Sequence, residues 1–297
     1  MDRRRFLGAA AVAGTYLALG RAGGALAADR APDLVAVKGG EPGAMFDRAI
    51  EACGGMRAFV KKGQKVLVKP NIGWEVPPER GANTHPELVA RIVERCRAAG
   101  AAEVFVFDHS CDNGEGCYKA SGIAEAARGA GAKVAPGDSS RYYQAVKVDG
   151  VQLKTAMVHE LLLEADVFIN VPVLKHHSST DLTIGMKNLM GVVWDRQYWH
   201  RNDLNQCIAD FIGYRKPDLT VVDAYRVMKR NGPRGVSGGD VVQMKMQLLG
   251  ADPVAVDAAA AKLFGAVPQD IGYLDLAARA GRGRLELDRL DVRRITL

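Results

Sequence analysis

At 297 residues the chain is long enough for one large domain or two small ones around a substantial buried core. Its net charge of +6 falls to near +3 without residues 1–27, which hold four Arg and one Asp. That is too mild for a nucleic-acid binder, and no Lys/Arg block is interleaved with aromatics. Five cysteines (Cys53, Cys96, Cys111, Cys117 and Cys207), none in a C-x-x-C pair, exclude a disulfide scaffold.

The first element is a targeting signal. Asp2-Arg3-Arg4-Arg5-Phe6-Leu7 forms a basic head, an uncharged Ala/Gly-rich body runs from Phe6 to Gly20, and Ala25-Leu26-Ala27 is the small-x-small pattern read by signal peptidase. Cleavage is predicted before Ala28. Arg-Arg-x-Phe-Leu ahead of so weakly apolar a body favours the twin-arginine route over the general secretory one. The expectation is export in the folded state by the twin-arginine translocase to a periplasmic location. The body is too short for a bilayer span of about 20 residues, and no later segment qualifies.

The rest of the chain reads as strand, polar loop, helix, repeated. Val66–Val68, Val104–Phe107, Val167–Ile169 and Leu219–Val222 are short apolar runs, and helical spacing covers Pro86–Ala99 and the stretch around Ile123–Ala130. Such runs separated by helices predict an α/β fold with a mostly parallel sheet covered on both faces. Pro136–Arg141 is the softest stretch and the expected boundary if the chain has two lobes.

Each strand is followed by chemistry-bearing residues: Lys69-Pro70-Asn71, then Asp108-His109-Ser110-Cys111, then Asn170 with the polar turn Lys175-His176-His177, then Asp223 and Lys229-Arg230-Asn231-Gly232-Pro233. In open parallel sheets ligands bind outside the carboxyl ends of the strands, so these loops predict a site on one edge. Neither G-x-G-x-x-G after a strand nor G-x-x-x-x-G-K-[ST] is present. The Gly232–Gly239 cluster with Arg234 reads as a lid or an anion-binding turn.

Lys69-Pro70-Asn71, Thr84-His85-Pro86-Glu87, Leu174-Lys175-His176-His177, Gly185-Met186-Lys187-Asn188-Leu189-Met190-Gly191 and Asp252-Pro253-Val254-Ala255-Val256-Asp257 occur in that order. The succession resembles the domain of unknown function 362 family over roughly residues 33–280. The resemblance implies the fold class. Ferredoxin-like cysteine clusters carried by many members are missing, so iron–sulfur electron transfer is not implied. His177 and Lys187 also look like the His-to-Lys segment of the nickel-pincer lactate racemase family. There the lysine tethers a nicotinate-derived cofactor and the histidine belongs to the active site. Thr84–Glu87 looks like that family's Thr-Arg-Pro-x-Pro segment, with His85 in place of the arginine.

Lys187 is the charged residue of Leu182–Val193, where an ammonium must snorkel, pair, or meet an anionic ligand. Asn188 either fixes a ligand or ends a helix. His177 is a general base or metal ligand, and His109 belongs to a second metal group with Asp108, Cys111 and Cys117. A Cys111–Cys117 disulfide is the competing reading in an oxidising compartment. Thr84 is expected to cap the helix opened by Pro86, leaving His85 to face the cleft. Asp252 caps a later helix, and Asp257 reaches the cleft or pairs with a base. Trp194–Arg201 reads as a surface loop or interface.

The catalytic set is thus His177, Lys187 and Asp108, with Lys69, Asn71, His85, Lys175, Asn188, Asn231 and Asp257 as ligand contacts. The function that follows is an exported enzyme, of isomerase or redox type, acting on a small anionic molecule. The cofactor reading is a transition metal or an organic group tethered on Lys187. The alternatives are a non-catalytic periplasmic binding protein and an accessory factor for a redox partner.

Overall fold

The apolar runs become central strands because both of their faces are covered. The computed structural model describes residues 31–297, which pack as one compact unit. The signal peptide expected over residues 1–27 lies outside the described residues. The chain opens with β1 (Leu34–Lys38), α1 (Pro42–Ala52), β2 (Lys65–Pro70), α2 (Pro86–Ala99) and β3 (Glu103–Val106). Two short helices, α3 (Gly114–Ala120) and α4 (Ile123–Gly129), lead to β4 (Lys133–Val134). Pro136–Arg141 then runs into a separate two-stranded antiparallel hairpin, β5 (Tyr143–Lys147) and β6 (Thr155–His159). The chain returns through α5 (Glu160–Glu164) to β7 (Val167–Val171), β8 (Val173–His177), β9 (Asp181–Thr183) and α6 (Gly185–Asn188). Helices α7 (Arg196–Arg201) and α8 (Leu204–Tyr214) precede β10 (Leu219–Met228) and β11 (Val241–Gly250). The described part closes with α9 (Pro253–Phe264), α10 (Gly272–Arg279) and β12 (Val292–Thr296).

The main sheet has ten strands in the order β12-β1-β11-β10-β7-β2-β3-β4, with β8 paired to β10 and β9. Its pairings are parallel except those of β11 with β1 and β10, and of β8 with β9. The expected α/β class with a mostly parallel sheet is the observed one. Residues alternate faces along each strand. Leu67, Phe168 and Val222 therefore join a core with α8, α9 and α10, while Val66, Val68, Ile169 and Val221 join a second core with α1, α2 and α4.

One segment expected as a polar turn is a strand. Pro172 separates β7 from β8, and Lys175–His177 continue as β8, pairing with β10 on one side and β9 on the other. The period-two alternation of β8 puts Lys175 and His177 on the same face and His176 on the opposite one.

Candidate functional site

Neighbouring parallel strands β2 and β3 end in register, Val68 beside Val106, which delivers Lys69 and Asp108 to the same edge. They form an ion pair, Nζ to Oδ1 at 2.8 Å, with side chains only 1% and 3% exposed. Lys69 also donates to Asn188 Oδ1 at 2.9 Å and to the Pro70 carbonyl at 2.8 Å, and Asp108 Oδ2 accepts from the Ile72 N–H at 2.7 Å. Burial pulls the Lys69 ammonium below its usual range, and Asp108 opposes that shift. A side chain at 191 would displace this pair: a Cβ on Gly191 would lie 1.8 Å from Asp108 Oδ1.

Asn188 is the hub of this edge. Its Oδ1 accepts from Lys69 and from Asn71 Nδ2 at 3.0 Å, and its Nδ2 donates to Asn170 Oδ1 at 2.9 Å. Asn188 is buried and ends α6 with right-handed geometry, without a left-handed turn. Its helix, α6, is held by Asp257, whose two carboxylate oxygens accept the Gly185 and Met186 N–H groups, each at 2.8 Å. Asp257 is therefore a cap for the Lys187 helix, not a cleft residue. Burial pushes its carboxyl up to about 7, against the pull of those two N–H groups.

On β8, Lys175 donates to Asn71 Oδ1 at 3.2 Å and to the Ala82 carbonyl. Burial lowers its ammonium to about 7, with Lys187 adding to the effect. His177 Nδ1 accepts the Ser179 N–H at 3.1 Å, which leaves the ring hydrogen on Nε2. Burial, then Lys187 and Lys175, keeps this ring neutral by pushing its pKa far down. His177 is thus set as a hydrogen-bond donor. A metal on Nε2 would require the hydrogen on Nδ1, where it would oppose the Ser179 N–H.

His109 has the complementary tautomer. Its Nδ1 lies 3.1 Å from the Val193 carbonyl, so Nδ1 carries the hydrogen and Nε2 keeps its lone pair. The ring stacks on Trp194 at 4.9 Å between centroids. Burial and the Arg196 guanidinium lower its pKa, keeping that lone pair free near neutrality. Arg196 donates to the His109 carbonyl at 2.5 Å and the Ser110 carbonyl at 2.6 Å, and reaches Cys111 Sγ at 3.6 Å. Trp194–Arg201 is at the surface but is a helix rather than a loop: α7 buries Trp199 and closes one wall of the site.

These side chains line a single cavity of about 330 Å³, to which Lys69, Asn71, Asp108, His109, Lys175, His177, Lys187 and Asn188 all contribute. Asp108 is the one carboxylate among its lining residues, and it is already paired with Lys69. Lys187 is 9% exposed, and among the described residues no hydrogen bond or ion pair reaches its amine. Burial, with Arg196 and Lys69 adding to it, lowers that ammonium to about 8. A second cavity of about 640 Å³ adjoins, sharing Asp108 and His109.

Several expected contacts lie elsewhere. His85 packs edge-on against Tyr225 at 5.3 Å and does not line the cavity. Thr84 does not cap α2: its hydroxyl donates to the Val171 carbonyl at 2.7 Å and accepts from the Asn71 N–H at 2.8 Å, fixing the loop that carries Asn71. Asn231, at φ 56°, donates to Asp240. Asp240 also accepts the Val236 and Ser237 N–H groups, so the Gly232–Gly239 turn is pinned from within. Only its Pro233 lines the cavity, and Arg234 pairs with Asp112 at 3.2 Å. Asp252 caps α9 as expected. Cys111 and Cys117 are both free thiols, the first exposed and the second buried on α3. Among the described residues no group of three or more His, Cys, Asp or Glu is placed to hold a metal ion, so the expected metal groups are not formed by this donor set. Sequence reasoning missed Arg196 and named Asn170 at its strand end without giving it a contact. Arg196 stood in the aromatic-basic stretch, and Asn170 at the end of a buried strand.

Among solved structures, the chain is similar to the lactate racemase apoprotein of Thermoanaerobacterium thermosaccharolyticum, with 12% identity and a TM-score of 0.48. That match covers 77% of this chain and 56% of the other. A structural-genomics protein of Thermotoga maritima has 11% identity and a TM-score of 0.41, over 81% of this chain and 60% of the other. The chain thus spans less than two thirds of either. A thylakoid-associated protein of Synechocystis sp. is 26% identical over 240 residues, covering 78% of this chain and 73% of the relative. The model of the domain of unknown function 362 matches residues 66–262, which include every cavity residue named above, and the chain belongs to that family.

Proposed function

We propose that this protein is an enzyme that holds a small anionic substrate in the Lys187 cavity and moves a proton on it, an isomerase-type reaction. The observation that carries this reading is the Lys187 amine, buried beside Lys175 and Arg196 with no acceptor of its own. An ammonium removed from water without a partner costs several kcal/mol or loses its proton, and an anionic ligand removes that cost. The two histidines supply complementary groups. The His109 Nε2 lone pair can accept a proton, while the His177 Nε2–H can donate to an oxygen that gains negative charge. The Lys69–Asp108–Asn188 network fixes the cavity floor. The test is hydrogen–deuterium exchange into a panel of small 2-hydroxy and 2-oxo carboxylates in D₂O, followed by NMR. Exchange at C2 of a hydroxy acid or C3 of an oxo acid, faster than without protein and lost in His109→Gln, supports the reading. Tight binding with no exchange on any of them favours a non-catalytic binding protein.

We further propose, on the Arg3-Arg4-Arg5-Phe6-Leu7 head and the weakly apolar body behind it, that the protein is exported folded by the twin-arginine route. No helix of the described residues is long and apolar enough to cross a membrane.

A further inference from the structure

Cys111 is the exposed cysteine on the wall of this cavity, whereas Cys53, Cys96, Cys117 and Cys207 are buried. Its backbone is fixed: the Cys111 and Asp112 N–H groups both donate to the Gly73 carbonyl, at 2.8 and 3.1 Å. The sulfur lies 3.6 Å from Arg196 Nη1. The other bonds of that guanidinium go to carbonyl groups, so its charge is not neutralised. The sulfur shares the cavity wall with Lys69, Lys175 and Lys187. Independently of the thiol, the Lys187 amine lines the same cavity, more than nine-tenths buried and without an acceptor.

We propose that Cys111 is a nucleophile for small anionic electrophiles, with Lys187 holding the anionic end while the sulfur attacks a nearby activated carbon. Arg196 lies against the sulfur on the wall that Lys187 shares, so an anion held by the amine meets the sulfur, whose thiolate is the attacking form. As the S–C bond forms, the bond from that carbon to its leaving group breaks, and the leaving group departs with the electron pair. The thiol proton passes to water, which reaches the exposed sulfur. The substrate class is a short carboxylate or phosphate carrying an activated acyl or alkyl carbon. This inference rests on the anion-site reading above and adds a covalent step to it.

Iodoacetate and iodoacetamide test it, because they share a leaving group and differ in charge. The full chain is treated with each, and the rate at Cys111 is followed by intact mass and peptide mapping, with Cys111→Ser as the blank. Free cysteine provides the reference ratio of the two rates. The expected result is a Cys111 ratio shifted toward iodoacetate on the order of tenfold, abolished by Lys187→Met, reduced by Arg196→Gln, and suppressed by added sulfate. A Cys111 ratio equal to that of free cysteine, or a Cys111–Cys117 disulfide in the purified protein, overturns the nucleophile. Calorimetry with sulfate separates the two claims: sulfate binding with an indifferent Cys111 overturns the covalent step alone, and no sulfate binding overturns the anion site beneath it.

Discussion

Lys69 and Asp108 meet as a buried ion pair only because residue 191 has no side chain: a Cβ there would fall 1.8 Å from the carboxylate and 2.6 Å from the amine. Removing one partner of a buried pair strands the other charge, which costs about 3–5 kcal/mol. Asp108→Asn should lose stability of that order in urea unfolding, and Gly191→Ala should destabilise in the same direction by prying the pair apart. A cost below about 1 kcal/mol for Asp108→Asn, the range of an exposed pair, would show that the pair contributes little.

Asn188 should be the most sensitive uncharged position of the site. Asn188→Ala removes the acceptor of both Lys69 and Asn71 and the donor to Asn170. Each buried group left unsatisfied costs about 1–3 kcal/mol, so a loss of about 2 kcal/mol or more is expected. Asn188→Asp should retain the two accepted bonds and lose the one to Asn170. Thermal unfolding of the two variants checks the order, with Asn188→Ala the less stable.

The edge of the sheet was legible in the sequence because parallel topology alone decides which strand ends share it. Asn71 and Asp108, after β2 and β3, line one cavity with His177 of β8 for that reason, and α6 brings Lys187 to it. What could not be read was which side chains are spent on structure. Asp257, an acid near a lysine motif, reads as a cleft residue until α6 is seen to begin on its carboxylate. His85 precedes a helix proline and reads as a cleft residue until Tyr225, far along the chain, is seen to occupy its ring. The roles of the histidines depend on single backbone contacts, Ser179 N–H for His177 and the Val193 carbonyl for His109, which no spacing rule encodes. Strand β8 reads as a turn because Lys175 and His177 face a cavity, whereas a polar strand residue ordinarily faces solvent.

Anion binding should weaken with rising pH in a defined window. Lys187 titrates at about 8 and Lys175 at about 7, both lowered by burial, and the ammonium is the form that attracts an anion. Affinity is therefore fully present well below 7 and declines as pH rises through 7 and 8, by at most about tenfold per unit for each proton that binding requires. Calorimetric titrations with sulfate from pH 6 to 9 check this. Affinity that is flat or rising across that range contradicts the assignment.

Export is tested at the basic head. Arg3→Lys combined with Arg4→Lys should block appearance of the mature protein, starting at Ala28, in the periplasm of the producing cell. Unchanged periplasmic accumulation of the double variant would assign the protein to the general secretory route.

The most direct test of the central claim is isothermal titration of sulfate, phosphate and short carboxylates into the wild-type chain and Lys187→Met at pH 6.5. Methionine keeps the length and apolar stem of the lysine and removes its charge. The account predicts one site per chain in the wild type, at least about tenfold weaker in the variant, with matching thermal unfolding of the two proteins to show an intact fold. Equal affinity in both proteins, or no binding of any anion to the wild type, would contradict it.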